Sequence, residues 1–327
     1  MSIKRRDLAG LAAAGSAALA LGTTPLATPA LAQGARRQLA FVVNVSADFW
    51  TIARRGIEKA NREHPDFAME MVIPGQSTAA EQRRIIDELL ARRVAGIAIS
   101  PIDPASSTDA LNRAAAQGVL FTTDSDAPAS NRLVYIGTDN VAAGRQAGEQ
   151  MKKALPGGGK AMLFVGTMDA ANARERVQGI REALAGGNIE VLDVRTDESD
   201  FGRARRNAED ALSRHADLAL MAGLWAYNTP QIYQAVRAAN RQDRVRIVGF
   251  DEDALTLRGV ADGTIHSTVV QQPFEFGYQS MVGMVRVLNG DRAWIPANKQ
   301  VIVPTRVIDS SNVGEFQASM RQILRGS

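Results

Sequence analysis

The sequence contains no cysteine. That excludes disulfides, cysteine-ligated zinc, iron–sulfur clusters, a thiol nucleophile and acylation of an N-terminal cysteine. It also lacks an excess of either charge. Over 327 residues, 38 Lys and Arg stand against 35 Asp and Glu, a formal net charge of +3, too balanced for a nucleic-acid binder working by bulk charge. Histidine is scarce, and His64, His215 and His266 lie far apart with no pair at metal-ligand spacing, so no metal site is expected. No G-x-S-x-G elbow occurs, and the first strand-to-helix turn, N-V-S-A-D-F-W, lacks G-x-G-x-x-G, so no catalytic residue and no cofactor are indicated. The run P-G-G-G-K at 156–160 has neither the spacing nor the position of a phosphate loop, since it precedes a strand, and it reads as a turn.

What the chain does have is apolar residues, 45% of the total, over a length that suits two domains with a core in each. Disorder of the bulk is therefore not expected. The N-terminus stands apart. Lys4, Arg5 and Arg6 precede an uncharged stretch from 8 to 35, in which the Ala- and Leu-rich segment 8–22 is too short and too weakly apolar to span a membrane and is followed by Pro25 and Pro29. With Ala30-Leu31-Ala32 as an A-x-A site, residues 1–32 read as a cleaved export signal, either of the twin-arginine type through Arg5-Arg6 or an ordinary secretory one. Removing it leaves 35 basic and 34 acidic residues, and a mature protein expected to be soluble in the periplasm and not lipid-anchored.

From Gln38 onward short apolar runs alternate with amphipathic stretches. Strands are expected at 39–45, 67–73, 96–100 and 119–123, with helices at 49–63, 78–93 and after Asp103-Pro104. A second series begins near Asp139: helix 140–154, strand 161–166, helix 171–185, strand 189–194, helix 202–214, strand 218–222, helix 228–239, strand 246–250 and strand 264–270. Helix 274–288, a strand-like 300–304 and a helix near 313–324 close the chain. The fold class is α/β, with two doubly wound, Rossmann-like halves in tandem.

Such sheets bind ligands beyond the carboxyl ends of their strands. Although aromatics make up only 5% of the chain, Phe49, Trp50, Phe201, Trp225 and Tyr227 all fall at expected strand-to-helix loops. Asp124, Arg174, Asn228, Asp251 and Gln271 fall at the same edge. Flat apolar faces surrounded by carboxylate, guanidinium and amide groups suit a neutral polyhydroxylated ligand, because rings cover the C–H face of a sugar while the polar groups meet its hydroxyls.

The stretches L-A-F-V-V-N-V-S-A-D-F-W, Y-I-G-T-D-N-V-A-A-G-R (135–145), A-R-E-R (173–176), I-V-G-F-D (247–251) and V-Q-Q-P (270–273) resemble the periplasmic sugar-binding proteins of the ribose-binding type, in order and across the whole mature chain. The resemblance implies a type I periplasmic binding protein with a three-crossing hinge, an N-terminal lobe of 37–138 plus 272–303 and a C-terminal lobe of 139–271 plus 304–327. It implies a monomer that captures a sugar or polyol and delivers it to the transmembrane subunits of an ABC permease with a cytoplasmic ATPase. By position it implies ligand contacts from Phe49, Trp50, Asp124, Arg174, Phe201, Asp251 and Gln271. Ala47, Ser125 and the turn G-L-W-A-Y-N at 223–228 depart from the ribose-type pattern, which puts ribose itself in doubt. Trp225 would enlarge the apolar face, with Asp126 or Asn228 compensating. Arg176 reads as structural, since residues two apart on a helix do not share a face. Asp139-Asn140 reads as a helix cap, and Glu252 and Asp253 as charges favouring a helix N-terminus.

Three other readings compete. A repressor of the same two-lobe fold would need an N-terminal helix-turn-helix where the charge-free signal stands. A periplasmic sugar-modifying enzyme would rely on Asp124 and Asp126 as acid and base, without a nucleophile, metal set or histidine beside them. A ligand-binding module for a chemoreceptor is compatible with the same sequence as a transport role. Pentose, hexose, sugar alcohol and furanose-like ligands all remain open.

Overall fold

The computed structural model describes residues 36–325; the expected export signal at 1–32 lies outside them. The first lobe opens with β1 (Arg37–Val42), α1 (Phe49–Glu63), β2 (Phe67–Val72), α2 (Ala79–Ala91), β3 (Gly96–Ile99), α3 (Pro104–Gln117), β4 (Val119–Thr123) and β5 (Val134–Gly137). The second contains α4 (Asn140–Ala154), β6 (Gly159–Val165), α5 (Ala171–Leu184), β7 (Ile189–Thr196), α6 (Phe201–Arg214), β8 (Leu218–Gly223), α7 (Asn228–Ala238), β9 (Arg246–Phe250), α8 (Ala254–Ala261) and β10 (Ser267–Val270). The chain then returns to the first lobe with α9 (Pro273–Leu288) and β11 (Gln300–Ile302), and ends in the second with β12 (Arg306–Asp309) and α10 (Val313–Arg325).

Each sheet has six strands, ordered β11-β5-β4-β3-β1-β2 and β12-β10-β9-β8-β6-β7. All neighbours run parallel except β10 and β12. The side-chain alternation explains why both faces need helices. Along β1, Leu39 and Phe41 join one apolar cluster while Ala40 and Val42 join another, and along β6 Leu163 and Val165 separate from Met162 and Phe164 in the same way. A strand buried on both faces has to be sandwiched.

Local chemistry fixes the helix starts. Thr78 accepts from the Glu81 N–H, Asp103 from Ser106 with Pro104 in the first turn, Asp139 from Ala142, Asp200 from Arg203 and Asp253 from Leu255. Asp139 therefore caps α4 as expected, whereas its neighbour Asn140 does not. The Asn140 amide turns inward to the backbone carbonyls of Asp124 and Thr138. The run at 156–160 is a turn leading into β6, with Gly158 at φ 78°.

Sequence periodicity passes over two strands. β5 is four residues long and follows β4 without a helix between them, so it lacks the rhythm that marks the others, and β12 is cut from β11 by Pro304. The chain passes from one sheet to the other between β5 and α4, between β10 and α9, and between β11 and β12. Consequently the helix that follows the fifth strand of each lobe packs on the opposite lobe: α4 lies against α5, and α9 against α1.

Candidate functional site

The two sheets have the same internal order, so β4 in one corresponds to β9 in the other. Each of these strands ends in an aspartate held in the left-handed region, Asp124 at φ 60° and Asp251 at φ 66°. Asp is one of the few residues that adopts this conformation at modest cost, and strain of this kind concentrates where a side chain must be aimed. Both carboxylates line one inner cavity together with Asn44, Phe49, Trp50, Asn172, Arg176, Trp225, Tyr227 and Gln271.

Asp124 accepts hydrogen bonds from Ser100 Oγ at 2.7 Å, Asn172 Nδ2 at 3.2 Å and Asn44 Nδ2 at 3.4 Å, all on Oδ2. The Asn172 bond crosses from one lobe to the other. Burial raises the Asp124 carboxyl above the ordinary range, against the pull of the Arg176 charge. Burial likewise takes Asp251 to about 6, again opposed by Arg176 and by the hydrogen bond from Gln271 Nε2 at 2.9 Å. Gln271 belongs to the second interlobe crossing, and its Oε1 accepts from Thr138 Oγ1, in the first, at 2.9 Å.

Arg176 is 1% exposed and is the charged centre of the cavity. Its Nε donates to Asn140 Oδ1 at 2.9 Å, its Nη1 donates to the Leu224 carbonyl at 2.6 Å, and its plane lies 4.5 Å over the Phe250 ring. Nη2 is buried and has no hydrogen-bond partner among the described residues; the same holds for Asn172 Oδ1 and Trp225 Nε1. The apolar walls are built from both lobes. Trp50 donates its Nε1 to Asn44 Oδ1 at 3.0 Å and meets Phe49 edge-on. Trp225 lies directly on the backbone at Gly166, where any Cβ would stand 2.0 Å from its Cζ3. Only glycine at 166 permits that indole position.

Of the residues expected from the sequence, Phe49, Trp50, Asp124, Trp225, Asp251 and Gln271 meet at this cavity. Three do not. Arg174 is exposed, with its Nη1 donating to the carbonyls of Met168 and Asp169. The expectation assigned the two arginines of A-R-E-R the wrong way round: the argument that they occupy different faces of the helix holds, but the inward face is that of Arg176. Asn228 is buried beneath the cavity instead of lining it; it donates to Asp197 Oδ2 at 2.7 Å and accepts from the Trp225 N–H. Phe201 lies outside the inner cavity, 40% exposed and stacked on Tyr227 with ring centroids 4.4 Å apart. Asp126, offered as a compensating or catalytic carboxylate, is held in a buried ion pair with Arg132 at 2.5 Å and accepts from Thr122.

Asn44, Asn172 and Arg176 were missed. The signal for Arg176 was present, because Ala173, Val177, Ile180 and Leu184 are the buried stripe of α5 and Arg176 falls on it. Tyr227 and Asn228 are supported from below by Asp197, which accepts from the Tyr227 hydroxyl at 2.5 Å and whose carboxyl burial pushes up to about 7.

A model of the periplasmic binding protein domain matches residues 39–292. The chain belongs to this periplasmic binding protein family. Among its relatives, the ribose import binding protein of Bacillus subtilis is 24% identical over 256 residues, covering 77% of this chain and 81% of the relative. That of Haemophilus influenzae is 27% identical over 240 residues, covering 71% and 80%. Among solved structures, an ABC transporter solute-binding protein from Burkholderia graminis in complex with D-arabinose superposes with a TM-score of 0.79 at 29% identity, covering 84% of this chain and 96% of that one. A glucose-galactose binding protein from Geobacillus stearothermophilus gives 0.79 at 27% identity, covering 84% and 98%. All four of these relatives are named as binding proteins.

Proposed function

We propose that this protein is the periplasmic solute-binding component of an ABC importer, and that the inner cavity takes a neutral sugar ring. The observation that carries the reading is the set of buried polar atoms without partners among the described residues, Arg176 Nη2, Trp225 Nε1 and Asn172 Oδ1, on three side chains that line the same cavity as Asp124 and Asp251. An unsatisfied buried polar group costs roughly 1–3 kcal/mol, so a molecule that supplies both donors and acceptors recovers it. A sugar hydroxyl does both at one atom. An anionic ligand fits poorly, because it would bring a like charge to two carboxylates that burial already disfavours.

The inner cavity is about 30 Å³, well below the ~150 Å³ that accommodates benzene in an engineered protein cavity. A sugar ring therefore enters as the lobes part, breaking the Asn172–Asp124 bond, and leaves the two side chains bonded to its hydroxyls on closure. Micromolar affinity corresponds to about 8 kcal/mol, within reach of several charge-assisted bonds of roughly 1.5–3 kcal/mol each after ordering costs. The names of the relatives, which include ribose and arabinose binders, support a sugar as the class. A thermal-shift screen of neutral pentoses, hexoses and polyols beside uronic acids and sugar phosphates tests it: stabilisation by a neutral member is expected, and stabilisation by the acids alone would reject it.

A further inference from the structure

The inner cavity shares its walls with a second, larger space. An outer groove of about 710 Å³ reaches from the start of α1 to α10, and Ala47, Phe49, Trp50, Ala226 and Tyr227 line both spaces. Its character differs from that of the inner site. Among the described residues four large apolar side chains are well exposed, and three of them, Ile73, Phe201 and Leu324, lie in this groove. Phe201 stacks face to face on Tyr227, at 13°, so an aromatic ring of the groove wall packs directly on one that also lines the inner cavity. Of the charged residues that line it, Asp48, Glu252 and Asp253 are acidic and Arg54 and Arg321 basic, so the groove carries no excess of positive charge.

One further group on this wall is not accounted for by the fold. Glu252 is 8% exposed, and neither of its carboxylate oxygens has a hydrogen-bond partner among the described residues. Asp253, not Glu252, caps α8. A buried carboxyl without partners is costly in any protonation state, and one that lines a groove next to a binding cavity is suited to a ligand that reaches it. Burial, with the Asp251 charge beside it, holds this carboxyl well above the ordinary range.

We infer that the molecule captured is larger than a free monosaccharide: a neutral glycoside whose sugar fills the inner cavity and whose substituent lies in the outer groove, along Ile73, Phe201 and Leu324 and against Glu252. This rests on the sugar reading of the inner cavity. The shared walls of the two spaces join both parts in one ligand, the apolar wall calls for a substituent with a flat or apolar face, and a lining without excess positive charge disfavours an anionic one.

The test is calorimetry on the mature protein with D-ribose, D-arabinose, D-galactose and D-glucose, each as free sugar and as methyl and phenyl glycoside in both anomers. For at least one sugar the phenyl glycoside is expected to bind at least tenfold more tightly than the methyl glycoside. The double variant Ile73→Ser/Leu324→Ser, confined to exposed positions, is expected to remove most of that advantage and leave methyl glycoside affinity unchanged. Free sugar binding with phenyl glycosides no tighter than methyl ones would overturn the inference and leave the sugar reading standing. An advantage that survives the double variant unchanged would also overturn it. Binding by none of these compounds would remove both.

Discussion

Thr138 Oγ1 donates to Gln271 Oε1 at 2.9 Å, and so ties the first interlobe crossing to the second. The same glutamine donates to Asp251 Oδ1, which makes the hinge and the cleft carboxylate one hydrogen-bonded unit. Thr138→Val keeps the shape and removes the donor. At about 1 kcal/mol for such a bond, sugar affinity is expected to fall roughly five- to tenfold with the fold intact, as read by calorimetry and circular dichroism. Unchanged affinity would separate the hinge from the site.

The two arginines of α5 make a sharper contrast. Arg176→Lys keeps the charge but loses the fork that serves Asn140, Leu224 and a ligand hydroxyl together, and a loss of about 100-fold in affinity is expected. Arg174→Ala, at an exposed position bonded to the nearby carbonyls of Met168 and Asp169, is expected to bind within about twofold of the parent. Titrating both variants with the same sugar decides the assignment.

The position of α5 depends on its contact with α4. A Cβ at Gly144 would stand 2.3 Å from the Arg176 carbonyl oxygen, so Gly144→Ala must push the helices apart. Overpacking of this kind costs roughly 1–3 kcal/mol. The variant is expected to lower both Tm and affinity, because α5 carries Asn172 and Arg176. A loss of Tm alone would show that the site tolerates the shift.

Burial raises Asp251 to about 6 and Asp197 to about 7, from an ordinary 3.8. Between pH ~4 and ~7 the unfolded chain has released protons that the folded chain keeps, so raising the pH through this window costs stability. His266, lowered by burial, acts in the opposite direction near pH 6.5, as one group against these two. Below pH ~4 the lowered carboxyls Asp103, Asp200 and Asp309 lose their hydrogen bonds as they protonate. Scanning calorimetry is therefore expected to give a higher Tm near pH 5 than at pH 7.5, and Asp251→Asn is expected to flatten that slope. A Tm that rises steadily from pH 5 to 7.5 would contradict the burial argument.

The fold was largely legible because its helices and strands are buried in regular stripes: α1, α4, β4 and β9 have the same limits in sequence and structure. Site positions at strand ends followed from the same regularity, as for Asp124 and Asp251. What sequence spacing could not supply was the phase of a helix relative to a neighbouring lobe, which separates Arg176 from Arg174. Nor could it tell a polar residue that lines the cleft from one that supports it. Asn228 sits in the right loop with the right chemistry, yet its amide is used in holding Trp225 and Asp197. Asn44 and Asn172 carry no local signature, because their role arises only when two lobes bring them to the same carboxylate.

The central claim, that the buried unpartnered polar atoms of the cleft receive a neutral sugar, is tested most directly by a crystal structure of the complex with whichever neutral sugar or glycoside stabilises the protein most. Arg176 Nη2, Trp225 Nε1 and Asn172 Oδ1 are expected within hydrogen-bond distance of its hydroxyls, with Asp124 and Asp251 accepting from others and the ring between the aromatic walls. A ligand bound elsewhere, or one in the cleft that leaves those three atoms without partners, would contradict the account.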